Sequence, residues 1–231
     1  MSEVIVACDF PNKEKLLNFV DLFTEEKPYL KLGMEAFYGE GPALVREIKA
    51  RGHKIFLDLK LHDIPNTVYK AMLNIADLDV DMVNVHAAGG IEMMKAAKRA
   101  LDEKGSNAHL LAVTILTSLQ EREVNNELLI TGSLEDTVSQ YAYNAYLAGL
   151  HGVVCSPMES KKVKDRCGHD FLTVTPGIRF LEDEKGDQKR VTTPSLAREL
   201  TSSYIVMGRS ITGSLDPVSS YRKAMKEFCG E

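Results

Sequence analysis

The sequence predicts a (β/α)8 barrel, or TIM barrel, built as one domain over residues 1–231. Three observations predict this fold class. Eight short β-rich segments occur along the chain, helical patterns separate them, and the total length suits one barrel of roughly 250 residues. Strands that alternate with helices form parallel βαβ units, and eight such units close a barrel.

The strand candidates are rich in β-branched and other apolar residues. Their expected ranges are 4–9, 29–34, 54–60, 82–87, 109–116, 152–156, 172–178 and 204–211.

Helical patterns fill the segments between these strands. Apolar residues recur at helical spacing in three stripes: Leu16, Val20 and Phe23; Leu44, Val45 and Ile48; and Val138, Tyr141, Ala142 and Ala145. Residues 156–159 (SPME) predict a capping box, and Gly168 is placed to end the helix that follows. Asp216 and Pro217 predict the start of the last helix.

An open, doubly wound sheet is the alternative arrangement of such units. That fold normally has a glycine-rich phosphate turn after its first strand. Here the first strand ends in Asp9, Phe10 and Pro11, so the barrel is favoured.

Composition excludes several classes of function. The formal net charge is -5, with 44% hydrophobic and 26% charged residues, which is typical of a globular protein and disfavours nucleic-acid binding. No apolar run approaches the roughly 20 residues that span a bilayer, and the first residues do not resemble a signal peptide. Four scattered cysteines, with Cys8 and Cys155 in apolar runs, indicate core residues rather than a zinc site or disulfides. We therefore expect a cytoplasmic protein.

Charged residues collect at the ends of the first three strands, where barrel active sites lie. Because side chains alternate along a strand, Asp58 and Lys60 are expected to face the barrel mouth together with Phe56. Lys31 has the same orientation on the second strand; Asp9 ends the first, and Asp63 follows the third. Such charges are costly unless they are paired or used, and the alternative is an ion-pair network that only braces the barrel.

A second polar cluster follows the seventh and eighth strands. Residues 175–179 (TPGIR) and 207–210 (MGRS) each combine a glycine with an arginine, and this end of a barrel often binds phosphate. Solvated surface arginines are the alternative. The polar segment 180–193 next to them is expected to be a lid over the site.

Residues 58–67 (DLKLHDIPNT) resemble the signature of the orotidine 5'-monophosphate decarboxylase family. Asp9, 31–33 (KLG), 85–87 (VHA), 116–118 (LTS), 175–179 (TPGIR) and 208–211 (GRSI) follow in the family's order, and the short length resembles the bacterial branch.

The resemblance implies a role for each of these residues. Lys31, Asp58, Lys60 and Asp63 would form an alternating charge array, with Asp63 and Thr67 entering the site of a neighbouring subunit in a homodimer. Asp9 and Lys31 would bind the ribose and Ser118 the pyrimidine, while Arg179, Gln188, Gly208 and Arg209 would bind the phosphate. Ile64, Thr117 and Pro176 would complete the substrate site.

The implied reaction, loss of CO2 from C6 of the pyrimidine, leaves a carbanion with no conventional electron sink. The chain has no cofactor fingerprint and no expected metal site, so the charges themselves must stabilise the carbanion. Lys60 is expected to donate the proton that replaces CO2. Asp58 acts either by repelling the substrate carboxylate or by positioning Lys60, and the sequence does not decide between these.

Three other functions fit parts of the pattern. A class I aldolase needs an uncharged lysine nucleophile, which the carboxylates beside Lys60 disfavour. A magnesium-dependent sugar-phosphate decarboxylase or aldolase of the same superfamily would have a glutamate ligand where this chain has Lys31. A phosphate-ligand sensor would gain little from the charge array. His62 and His86 are expected to be structural. Met34, Met93, Met94 and Met207 are expected to fill the core or to pack between helices.

Overall fold

The computed structural model describes residues 3–183 and 192–230. Eight parallel strands form a closed barrel in the order β1 to β8, and β1 pairs with β8. The prediction of a (β/α)8 barrel is confirmed, and closure rules out the open sheet. Across the two described ranges, no helix is long and apolar enough to cross a membrane.

The strands are short, and helices separate them along the chain. The strands are β1 (Glu3–Ala7), β2 (Tyr29–Gly33), β3 (Ile55–Leu61), β4 (Met82–His86), β5 (His109–Val113), β6 (Gly152–Val154), β7 (Leu172–Thr175) and β8 (Tyr204–Met207). The helices are α1 (Lys13–Val20), α2 (Met34–Ala50), α3 (Pro65–Ala76), α4 (Gly90–Glu103), α5 (Glu121–Asn126), α6 (Leu134–Leu147), α7 (Pro157–Cys167), α8 (Pro194–Glu199), α9 (Arg209–Thr212) and α10 (Pro217–Cys229). A 3-10 turn at Ala87–Gly89 precedes α4.

Alternation along the strands divides the apolar residues into two cores. Inward-facing side chains fill the barrel: Ile5, Ala7, Tyr29, Phe56, Met82, Leu111, Val174 and Val206. Outward-facing side chains, such as Leu57 and Leu59 of β3, pack against the helices. Asp58 is therefore on the same face as Phe56, as predicted.

Local signals in the sequence set several helix ends. Ser156 and Glu159 form the predicted capping box of α7, and Gly168 ends that helix. Asp216 caps α10 by accepting a hydrogen bond from the Ser219 N–H. These caps satisfy backbone groups that the first turn leaves unpaired.

Several expected boundaries were wrong at the carboxyl ends of the strands. β8 ends at Met207, and α9 begins at Arg209 instead of a continued strand. β5 ends at Val113 and β7 at Thr175; Pro176, the residue after β7, has no N–H with which to continue the ladder. Met34, expected to fill the core or to pack between helices, begins α2 with 47% of its surface exposed.

The opposite end of the barrel carries its own charge pair. Lys54 contacts Glu3 at 2.9 Å and lies over the Tyr29 ring. An ion pair that could brace the barrel therefore lies at the amino-terminal end. The charges of β1 to β3 considered above lie at the carboxyl end.

Candidate active site

A cavity of about 470 Å³ opens at the carboxyl end of the barrel. Its floor consists of interior apolar residues: Ala7, Phe56, Val113, Val154 and Val206. Its walls contain most of the predicted site residues: Asp9, Lys31, Asp58, Lys60, Thr117, Ser118, Pro176, Arg179, Gly208 and Arg209. Strand ends that are far apart in the sequence therefore meet around one space.

Asp58 is the centre of the charged wall. Lys60 Nζ lies 2.7 Å from Asp58 Oδ1, and Lys31 Nζ lies 3.3 Å from Asp58 Oδ2. Lys31 also contacts Asp9 Oδ1 at 3.3 Å. The Asp58 side chain is only 10% exposed, whereas that of Asp9 is 59% exposed. The four groups form a chain of alternating charge in the order Asp9, Lys31, Asp58 and Lys60, and its two middle members are the most buried.

These contacts shift the protonation of the buried groups. Burial alone raises the pKa of the Asp58 carboxyl, but Lys31, Lys60 and the hydrogen bonds to Asp58 outweigh it and hold this pKa below its usual range. Burial lowers the pKa of Lys31, but Asp58 and Asp9 outweigh it and raise the pKa overall. Both groups are therefore charged at neutral pH.

Gly33 makes room for the outer pair. A Cβ at this position would lie 3.3 Å from Asp9 Oδ1 and 3.4 Å from Lys31 Nζ. A side chain there would crowd the contact, so the glycine at the end of β2 allows the two charges to meet.

Lys60 itself has an unusual backbone. Its φ is +52°, a left-handed conformation that is uncommon for a residue other than glycine. Its N–H donates to Asn84 Oδ1 at 2.8 Å, and Asn84 Nδ2 donates to Asp58 Oδ1 at 2.6 Å. Sequence reasoning missed Asn84. The signal was available, because an inward-facing polar residue on β4 is the kind of feature that singled out Asp58.

The two predicted arginines lie across the cavity from β3, at the ends of β7 and β8. Arg179 is buried, and Arg209 begins α9 next to Gly208. Burial first, and then the charge of Arg209, lower the pKa of Arg179, while Asp183 opposes this. Two cations that repel each other in a partly buried place form an attractive position for an anion.

Backbone bonds close the base of the predicted lid. Arg179 N–H donates to Thr192 O at 3.0 Å, and Thr192 N–H donates to Gly177 O at 3.1 Å. Arg179 and Thr192, which flank this segment, are therefore held next to each other. Gln188 lies outside the described residues.

Asp63, Ile64 and Thr67 are not part of this cavity in the single chain. All three are exposed on the turn after β3 and the first turn of α3, and Ile64 is 68% exposed. Asp63 accepts a hydrogen bond from the Ile64 N–H at 2.6 Å. The charge array thus contains three of its four expected members, with Asp63 facing outward.

The two histidines near the charged wall pack on each other. The rings of His62 and His86 lie 5.5 Å apart. Burial, followed by His62 and Lys60, lowers the pKa of His86. Within residues 3–183 and 192–230, no group of three or more histidine, cysteine, aspartate or glutamate side chains is arranged to hold a metal ion.

A closed (β/α)8 barrel with a charged cavity at the carboxyl ends of its strands has the architecture of a barrel enzyme. The comparison with protein families gives a narrower assignment. The model of the Orotidine 5'-phosphate decarboxylase / HUMPS family matches residues 2–224, and the chain belongs to this family.

Individual relatives agree over almost the full length. The chain is 53% identical to an orotidine 5'-phosphate decarboxylase of Fusobacterium nucleatum over 226 residues, 98% of this chain and 95% of the relative. It is 52% identical to one of Bacillus mycoides, over 98% of this chain and 97% of the relative. A crystal structure of orotidine 5'-phosphate decarboxylase from Lactobacillus acidophilus superposes with a TM-score of 0.88 at 40% identity, covering 98% of each chain.

Proposed function

We propose that the protein removes CO2 from orotidine 5'-monophosphate to give uridine 5'-monophosphate, the last step of de novo pyrimidine nucleotide synthesis. The relatives named above carry this activity in their names. The observation that carries the proposal is the Lys60–Asp58 contact in a cavity whose other wall contains Arg179 and Arg209. An ammonium at the reacting carbon and an anion site at a distance are the two elements that the reaction needs.

The cavity suggests how the nucleotide would lie. The phosphate would bind Arg179, Arg209 and the backbone near Gly208, with Gln188 closing over it. The ribose hydroxyls would bind Asp9 and Lys31. The pyrimidine would then lie over the apolar floor beside Thr117, Ser118 and Pro176, with C6 towards Lys60.

The chemistry follows from the charge of Lys60. The bond between C6 and the carboxylate breaks, its electron pair stays on C6, and CO2 leaves. The Lys60 ammonium stabilises the developing carbanion and then donates a proton to C6, and solvent restores the lost proton. No redox step occurs, and we propose that neither a metal nor an organic cofactor takes part.

Asp58 has two possible contributions. Its carboxylate would lie close to that of the substrate, and repulsion there would raise the energy of the bound ground state. Its contacts with both Lys31 and Lys60 support a positioning role as well.

The active unit would be a homodimer, in which Asp63, Ile64 and Thr67 of one subunit enter the cavity of the other. Their exposure next to the cavity end of β3 supports this arrangement, because an exposed Ile64 beside a charged mouth is a feature that a partner would cover. A cytoplasmic location fits the four free cysteines, three of them buried.

No observation favours the magnesium-dependent alternative. Lys31 contacts Asp58 and Asp9, the carboxylates that a cation would need, and its ammonium would repel that cation.

The decisive experiment is turnover by metal-stripped protein. Purified protein treated with excess EDTA should convert the ultraviolet spectrum of orotidine 5'-monophosphate into that of uridine 5'-monophosphate while releasing CO2. Turnover that appears only after magnesium is added would reject the cofactor-free mechanism. No turnover under either condition would reject the activity itself.

A further inference from the structure

Asn84 lies beneath the charged wall, in the middle of β4. It is fully buried and faces the barrel interior between Met82 and His86. Its amide oxygen accepts from the Lys60 N–H at 2.8 Å, and its amide nitrogen donates to Asp58 Oδ1 at 2.6 Å. One side chain therefore contacts the backbone of the lysine and the carboxylate that holds the lysine's ammonium.

The pairing of β3 with β4 explains why a side chain is needed here. Leu57 pairs with Val83, but the next pair is Leu61 with Val85, so three residues of β3 lie opposite Asn84 alone. The bulge turns Lys60 into its left-handed conformation, at φ +52°. Its N–H loses a ladder partner, and the Asn84 side chain supplies the acceptor instead.

The chemistry of an amide fits these two partners. A backbone N–H needs an acceptor, while the ionised Asp58 carboxylate needs a donor. An amide offers one of each, whereas a carboxylate of the same shape offers only acceptors. A leucine of similar size would leave both partners unsatisfied in a buried place.

We propose that Asn84 is a positioning residue for the decarboxylation. It holds the backbone of Lys60 in its bulged conformation and keeps the Asp58 carboxylate in contact with the Lys60 ammonium. This inference rests on the proposed function. Asn84 does not line the cavity, so its effect on rate passes through Lys60 and Asp58. A displacement of about 1 Å in such a group costs on the order of 100-fold in rate.

Asn84→Asp tests the donor half of the amide. At pH 8 we expect kcat to fall about 100-fold, with the Kd for uridine 5'-monophosphate within about threefold of the unmodified protein, because the phosphate is bound at the other wall. As the pH falls, the new carboxyl takes up a proton and regains the donor–acceptor pattern. The kcat of the variant should therefore recover relative to that of the unmodified protein.

The groups that face this position are Asp58 and Lys60 on β3, Lys31 through Asp58 on β2, and His86 on β4 itself. All of them are also present in Asn84→Leu, which adds no titratable group, so a recovery seen only in Asn84→Asp is due to the new carboxyl and its coupling to these groups. Asn84→Leu should show the same loss of kcat without recovery at low pH. Asn107→Asp, at an exposed position before β5, is the matched control and should leave kcat unchanged.

Three outcomes separate the possibilities. An unmodified protein without turnover would reject the proposed function rather than this inference. An active unmodified protein with kcat of Asn84→Asp within threefold of it would overturn the inference. The inference would also be overturned if Asn84→Asp bound uridine 5'-monophosphate about 100-fold more weakly and had a lower thermal midpoint. The loss of kcat would then reflect general damage to the fold. If Asn84→Asp does not fold, Asn84→Leu gives the same comparison of kcat with nucleotide Kd.

Discussion

The ammonium of Lys60 lies 2.7 Å from Oδ1 of Asp58. The same carboxylate accepts from Asn84 on Oδ1 and contacts Lys31 through Oδ2. Asp58 is thus surrounded by donors, and its contact with Lys60 holds the ammonium at the wall of the cavity. Preorganised charge of this kind lowers a barrier because the protein does not have to reorganise during the reaction.

Lys60→Ala should remove almost all activity. The variant loses both the proton donor and the charge that stabilises the carbanion, and we expect kcat to fall by at least about 10⁴-fold. Asp58 keeps its contacts with Lys31 and Asn84, so the fold should persist. Single-turnover kinetics and the thermal midpoint measure the two effects. Lys15→Ala, at an exposed position on α1, is the control; a Lys60→Ala variant with kcat within tenfold of the control would contradict the assigned role.

Arg209→Ala should lower kcat/KM, although the predicted phosphate site is distant from the reacting carbon. A charge-assisted contact to phosphate is worth about 1.5–3 kcal/mol, so we expect kcat/KM to fall about 100-fold. The remaining Arg179 keeps part of the anion site. Steady-state kinetics measure the change, and Arg222→Ala, whose ion pairs with Glu25 and Glu26 are exposed, is the control. Equal values of kcat/KM for the two variants would remove Arg209 from the substrate site.

The sequence predicts the barrel well because alternation is a strong signal. A period of two places Asp58 on the face of Phe56 and Lys31 on the face of Gly33, and eight separated strands imply closure. The limits are equally physical. No periodicity reveals the bulge that gives Lys60 its left-handed backbone, so the sequence can mark Asn84 as an inward-facing polar residue but cannot identify it as the partner of the Lys60 N–H. The end of β8 was misjudged because Ile211, an apolar β-branched residue, lies in α9 and was taken as the end of the strand.

Stability should fall as the pH drops below about 7, the region where ordinary histidines begin to protonate. Burial lowers the pKa of both His109 and His151, whose rings lie 5.4 Å apart at the amino-terminal end of the barrel. The unfolded chain therefore binds more protons than the folded one between the lowered pKa values and the ordinary value of about 6.5. The free energy of unfolding rises with pH through this window and levels off above it.

His109→Leu tests this assignment away from the cavity. Urea midpoints of the variant and the unmodified protein should be similar at pH 8. At pH 5.5 the variant should have lost less of its stability, because one group that resists protonation is gone. His53 and His86 also have lowered pKa values and are unchanged in the variant, so part of the slope remains. Parallel pH profiles for the two proteins would show that His109 does not contribute.

The exposed position of Asp63 leads to a test of the shared site. In a mixture of Lys60→Ala and Asp63→Ala protomers, each mixed dimer has one site with both defects and one with neither. If subunits exchange at random, about half the dimers are mixed, so activity should recover to about one quarter of the unmodified value. Lys60→Ala mixed with the Lys60→Ala, Asp63→Ala double variant is the control and should stay inactive, because no site in it is intact. Failure to recover activity, with subunit exchange shown by mass-labelled protomers, would place Asp63 outside the partner's site and leave the charge array with three members.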